Sequence, residues 1–249
     1  MPPRALRPVG IALVDKPPGP SSFAIVATLR RRTRARTGHA GTLDPFASGL
    51  LVLFSGAATR LAPCFVGLDK RYVTDVDLTA TTSTGDPEGE VLERHAAPAE
   101  PALEAALALL RGPVELPVPA LSAVKIGGER AYRLARRGVE VEMPTRRSVV
   151  HELDVVGFDG TSVRLSLHVS SGTYVRSLAQ ALGGHCTALR RTAVGPFTVD
   201  EADTDAAAAR LLDVDAVLLR LPAEALERVP ASVRAGVLAA AAGGGDGAA

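Results

Sequence analysis

A single carboxylate, Asp44, stands in the run Gly38-His39-Ala40-Gly41-Thr42-Leu43-Asp44-Pro45, directly after Arg30, Arg31, Arg32, Arg34 and Arg36. Glycines loosen this loop and a proline stiffens it. An aspartate in such a setting commonly forms a turn, its side chain bonding its own backbone. Beside five guanidinium groups and between two apolar segments, it could also be the reactive acid of an enzyme that handles a polyanion. Three further segments carry aromatic or cationic side chains. Tyr72 follows Lys70-Arg71 at the start of a β-forming run, Arg176 closes Thr173-Tyr174-Val175-Arg176, and Lys16 enters the stiff loop Lys16-Pro17-Pro18-Gly19-Pro20. There is no phosphate-binding glycine loop of the Walker type. Cys64 and Cys186 have no metal-ligand spacing and make no disulfide framework, so metal is not expected and a reducing compartment is.

The elements that must hold these residues read as follows. Ile11–Val14 is a strand stopped by the prolines, and Ser21 or Ser22 caps a helix through Phe23, Ile25, Val26 and Leu29 into the arginines. Leu50–Phe54 is a buried strand, Ala57–Phe65 a short helix and Tyr72–Leu78 a strand. A breaker-rich turn spans Thr84–Gly89, and Pro101–Arg111 is an amphipathic helix. Ala120–Ile126, Gly127-Gly128 and Glu129–Arg137 read as strand, turn and basic helix. Val149–Phe158 and Ser162–Val169 pair as antiparallel strands, Thr173–Leu182 is a helix and Leu189–Phe197 a strand. Strands and helices mix without regular βαβ alternation, which points to an α+β fold with a mixed, largely antiparallel sheet.

Net charge is only +1 over 249 residues, but it alternates along the chain: +6 in residues 1–80, −5 in 81–120, +5 in 121–199 and −5 in 200–249. Two basic blocks separated by an acidic one fit a cationic face for a polyanion. Residues 1–199 read as the catalytic domain. Residues 200–249 read as a short acidic, Ala-rich tail with helices at Asp205–Leu212 and Asp213–Leu221, disordered at its low-complexity end. No apolar run reaches membrane-spanning length, and the start MPPRALRPVG has no apolar signal core.

Five segments together resemble the bacterial tRNA pseudouridine-55 synthases of the TruB family: Val14–Gly19, Gly38–Pro45, Lys70-Arg71-Tyr72, Ser171–Arg176 and Leu189-Arg190-Arg191-Thr192. Pro119–Gly138 is a weaker sixth. The resemblance implies a pseudouridine-synthase fold, with helices and loops around a central catalytic cleft. It also implies isomerisation of the T-arm uridine 55 without cofactor or metal. The same chemistry on another RNA, or a non-catalytic RNA-binding or RNA-folding module, are the alternatives. A cytoplasmic monomer acting on the T stem-loop of tRNA, with no obligate protein partner and no membrane association, is expected.

By the same resemblance Asp44 is the catalytic acid or nucleophile, and Arg176 holds it ionised. Tyr72 stacks on the base and assists loss of the C5 proton. His39 fills the stack left by the flipped uridine; Tyr174 and Leu189 line the uracil pocket. Lys16 braces the pocket or a phosphate. Asp86 is either a second acid paired with Arg176 or a turn aspartate before Pro87. Arg30, Arg31, Arg32, Arg34, Arg36, Arg130, Arg133, Arg136 and Arg137 are candidates for the RNA backbone, with 120–145 a mobile lobe closing over it. Two departures from the family pattern stand out. Ala120-Leu121 replace a more usual aromatic or methionine, and the strands of a C-terminal β-barrel module are not visible.

Overall fold

The computed structural model describes residues 8–122, 124–131, 137, 139 and 142–243. In chain order its elements are β1 (Gly10–Lys16), α1 (Ser22–Thr33), β2 (Thr37–Ala40), β3 (Ser48–Ser55), a 3-10 segment (Gly56–Leu61) running into α2 (Ala62–Val66), β4 (Lys70–Asp77), β5 (Ala80–Thr82), β6 (Val91–Arg94) and α3 (Glu100–Leu109). There follow β7 (Gly112–Pro117), β8 (Lys125–Ile126), β9 (Glu129–Arg130), β10 (Thr145–Phe158), β11 (Ser162–Val169), α4 (Val175–Ala181), β12 (His185–Val194), β13 (Phe197–Thr198), α5 (Val214–Leu218), α6 (Ala223–Leu226) and α7 (Ala231–Ala242). The result is α+β, with antiparallel pairings and one short parallel one. The chain falls into two units: residues up to Lys70 together with those from Arg190 on, and Arg71–Leu189.

The first unit is built around β3. One edge of β3 carries β1 in antiparallel register from Gly10↔Ser55 to Lys16↔Gly49. The other edge carries β2 along Val52–Ser55 and, in parallel, Arg190 and Arg191 of β12 at Ser48 and Gly49. Side chains alternate across a strand, so Leu50, Val52 and Phe54 enter one hydrophobic cluster and Leu51 and Leu53 another. Burial on both faces explains why Gly49–Phe54 reads as a continuous apolar run rather than an alternating one. Helix α1 covers one face through Ile25, Val26 and Leu29. The other face is covered by Ala58, Leu61, Cys64 and Phe65 and by Val214, Val217, Leu218, Leu221, Ala225, Val229 and Val237.

Several sequence expectations for this unit change. Residues 200–243, read as a tail, supply a layer of the core, and Ala239–Ala242 are the end of helix α7 rather than a disordered run. No helix forms over Asp205–Leu212. That stretch closes the outer edge of β1 instead, through Asp203 N–H to Leu13 C=O (3.0 Å) and Leu212 N–H to Ile11 C=O (2.7 Å). An uncovered edge would leave a row of unpaired backbone groups, and here that need outweighs local helix propensity. The helix expected over 57–65 divides into the 3-10 segment and α2, with Pro63 at the start of the latter. The strand expected over 189–197 starts at His185 and turns at Gly195-Pro196, where φ of Gly195 is +51°, so that Phe197 returns opposite Val194.

The second unit orders its strands β12-β4-β11-β10-β7. The β10–β11 hairpin turns at Asp159, whose carboxylate accepts from the N–H groups of Thr161 (2.8 Å) and Ser162 (2.7 Å). Across these strands the Arg71 guanidinium grips both oxygens of Glu152 (2.7 and 2.9 Å) and holds that carboxyl down at about 2. Helix α4 starts at Val175, two residues later than expected, because Tyr174 is extended (φ −99°, ψ 110°) and serves as its N-cap. The run from Glu129, expected to be helical, begins as the second strand of a β8–β9 hairpin. Gly127 and Gly128, both at positive φ (58° and 89°), form its two-residue turn. Among the described residues no helix is long and apolar enough to cross a membrane.

Candidate active site

In the first unit, the loop after β2 carries Asp44, half-buried, and is held at almost every residue from Gly41 to Ala47. Ser22 Oγ bonds Leu43 twice, accepting from its N–H (2.9 Å) and donating to its carbonyl (2.9 Å). Lys16 is fully buried, and its ammonium donates to the carbonyls of Pro17 (2.9 Å), Pro45 (3.1 Å) and Ala47 (2.6 Å). Gly19 N–H also bonds the Pro45 carbonyl (2.8 Å), and Ala47 N–H bonds that of Asp44 (3.2 Å). Arg191, buried as well, donates Nη2 to Gly41 C=O (3.0 Å) and Nε to Leu50 C=O (2.7 Å). Hydrogen bonds from charged donors are among the stronger ones. Two buried cations therefore lock the backbone on either side of Asp44 while its side chain stays half-buried.

His39, on β2, is half-buried, and its Nδ1 has no hydrogen-bond partner among the described residues. Burial, helped by the charge of Arg191, holds its pKa below the usual histidine value, so the ring is neutral at pH 7. Lys16, fully buried, directs its ammonium at the loop's carbonyls. The five arginines Arg30, Arg31, Arg32, Arg34 and Arg36 are all exposed, the first three in the last turn of α1. Their charges favour that C-terminal position.

In the second unit, Arg176 (2% exposed) and Asp86 (3%) form a buried ion pair, Nη1 to Oδ2 at 3.2 Å. The guanidinium also donates to the carbonyls of Thr84 (2.8 Å) and Leu121 (2.9 Å). The other oxygen of Asp86 accepts from Thr84 Oγ1 (2.5 Å) and Glu88 N–H (3.0 Å). Asp86 is therefore both the partner of Arg176 and the aspartate that closes its turn. Tyr72 is buried on β4, Leu189 is buried on β12, and Tyr174 is half-buried two residues before Arg176. Arg137 is exposed and paired with Glu129 (2.9 Å). Arg130 lies in β9, while Arg133 and Arg136 lie outside the described residues.

Sequence reasoning missed Ser22 and Arg191 as site residues. Ser22 was legible only as a cap candidate; Ser21 takes the cap, accepting from Ala24 N–H (3.2 Å), which leaves Ser22 for the loop. Arg191 carried a signal, its place in a segment shared with the family, but a buried arginine cannot be told from an exposed one by its neighbours in sequence.

The family model for the TruB family pseudouridylate synthase N-terminal domain matches residues 29–175. The tRNA pseudouridine synthase B of Thermobifida fusca is 47% identical over 212 residues, covering 78% of this chain and 72% of that protein. That of Aromatoleum aromaticum is 41% identical over 240 residues, covering 92% and 71%. Among solved structures, a chain of a Cbf5-Nop10-Gar1 complex superposes with TM-score 0.59 at 29% identity, covering 77% of this chain and 50% of that one. A chain of an H/ACA ribonucleoprotein bound to a substrate RNA containing 2′-deoxyuridine gives 0.58 at 27% identity, covering 78% and 50%. This chain thus spans half the length of those two solved chains. With more than half its length matched by the family model and relatives above 40% identity, it belongs to the TruB family of pseudouridylate synthases.

Proposed function

We propose that this chain, a tRNA pseudouridine synthase, isomerises uridine 55 in the T arm, with Asp44 as the acid that acts at the sugar. The reaction breaks the N1–C1′ bond, turns the base, and forms C5–C1′; the proton on C5 is lost and N1 gains one, so nothing is oxidised or consumed. Such a reaction asks the protein for a fixed carboxylate, a cation to keep it ionised and a pocket for the turning base. Support comes first from the loop itself: buried Lys16, Arg191 and Ser22 hold its backbone on both sides of Asp44. Arg176 is the cation of the site, backed by Asp86. Tyr72 is assigned to the base and its C5 proton, Tyr174 and Leu189 to the pocket wall, and His39 to the vacated stack.

The partner we infer is the T stem-loop of tRNA, met by a single copy of the chain in the cytoplasm. Arg30, Arg31, Arg32, Arg34 and Arg36 would track its phosphates; the 120–145 segment, expected to close over it, lies partly outside the described residues. The test is tritium release from a tRNA transcript labelled at uracil C5. The wild type should release tritium, with the modified base mapping to position 55. Asp44→Asn should bind the transcript and lose more than ~1000-fold in turnover. Turnover within tenfold of wild type in that variant would remove Asp44 from the chemistry.

A further inference from the structure

Phe23 is the one aromatic residue among the large exposed hydrophobic side chains of the described residues, with 71% of its surface open. Its helix does not require it there. The buried face of α1 is made by Ile25, Val26 and Leu29, and Phe23 stands off that face. Phenylalanine is also a weaker helix former than the alanine or leucine used elsewhere in the same helix. Three observations place it at the site. Ser22, its chain neighbour, holds Leu43 through two hydrogen bonds, so the start of α1 that carries Phe23 is tied to the loop that carries Asp44. The Phe23 ring meets the His39 ring edge to face, with centroids 5.4 Å apart and planes at 83°. The far end of the same helix carries exposed Arg30, Arg31 and Arg32.

We propose that Phe23 is a base-stacking platform: its open ring face takes an unpaired nucleobase of the RNA, other than the uridine that is isomerised. This rests on the function proposed above. Unpaired bases of folded RNA are held chiefly by stacking on aromatic rings, with cationic side chains following the phosphates. Phe23 at one end of α1 and three arginines at the other supply both parts. A phenylalanine ring has two rotatable bonds, so little freedom is lost when a base settles on it. His39 bears on one side of the ring and limits that freedom further.

The chain contains no tryptophan, so Phe23→Trp introduces a single fluorescent reporter at the site. Binding of an unmodified tRNA transcript is measured in an Asp44→Asn background, where turnover does not intervene. Phe23→Trp should bind within about threefold of the parent and be quenched as tRNA saturates it. Phe23→Leu, apolar but without a ring face, should bind ~10- to 100-fold more weakly. With Asp44 restored, Phe23→Leu should raise KM by a similar factor and leave kcat within about twofold. Affinity unchanged in Phe23→Leu, with the indole emission of Phe23→Trp unmoved at saturation, overturns the platform while RNA binding by the parent stands. A parent that neither binds nor isomerises the transcript overturns the proposed function, and the platform with it. Thermal melts of both variants should match the parent, because the side chain is exposed.

Discussion

At the scale of single residues, the fold depends on charges buried where their partners are fixed. Arg176 and Asp86 are both inside the protein, and removing one partner of such a pair leaves the other charged and buried. Asp86→Ala should therefore cost about 3–5 kcal/mol in urea unfolding and lower turnover with it; a loss under about 1 kcal/mol would mean that Arg176 is held mainly by the carbonyls of Thr84 and Leu121. His39 behaves in the opposite sense. Its folded pKa lies below the unfolded value, so the unfolded chain takes up the proton first as pH falls. The stability from keeping this ring neutral is whole above about pH 6.5 and declines as pH falls from there toward the folded pKa. Urea midpoints at pH 7.5 and 5.5 should differ more in the wild type than in His39→Gln, and equal differences would contradict this. Asp44, His39, Tyr72, Arg176 and Lys16 could be named as candidates from sequence because motif and chemistry pointed the same way. The place of Arg191 in the fold was not legible there, since its carbonyl partners include a group 150 positions away.

At the scale of elements, β3 holds the loop in place by accepting strands on both edges. Gly49 makes this possible: its φ is +104°, and a Cβ there would stand 2.2 Å from the Arg191 carbonyl oxygen. Gly49→Ala should therefore lose at least ~2 kcal/mol in denaturant unfolding and weaken turnover through the displaced Arg191. A variant of unchanged stability would show that β12 can retreat at no cost. Most strands and α1, α3 and α5 could be read from pattern, because burial on one or two faces leaves a periodic mark. The misread elements have a shared cause. At Asp205–Leu212 the backbone of β1 decides the conformation; at Gly195-Pro196 a tight turn splits one apolar run into two strands. Local propensity carries no record of either.

At the scale of the whole molecule, the chain leaves its first unit at Lys70 and returns at Arg190. The returning segment supplies Leu218, Leu221, Val229 and Val237 to the core and pairs with the edge of β1. Ending the chain at Phe197 should abolish the cooperative melt of that unit, followed by tryptic digestion and circular dichroism; a truncated chain that keeps residues 10–66 protected would contradict this. The acidic stretch expected to trail free is thus structural, and its acidic charge and alanine runs disguised the role of the leucines and valines between them. A ribosome makes Asp44 early and α7 well after it. The second unit lies in one uninterrupted stretch, so all of its strands have emerged before the first unit has its complete core. The loop around Asp44 can be locked by Arg191, and the sheet beneath it sealed by α5 to α7, only after the whole second unit has been made. A nascent chain of this protein is therefore without a finished Asp44 loop until the segment from Arg190 onward has been made.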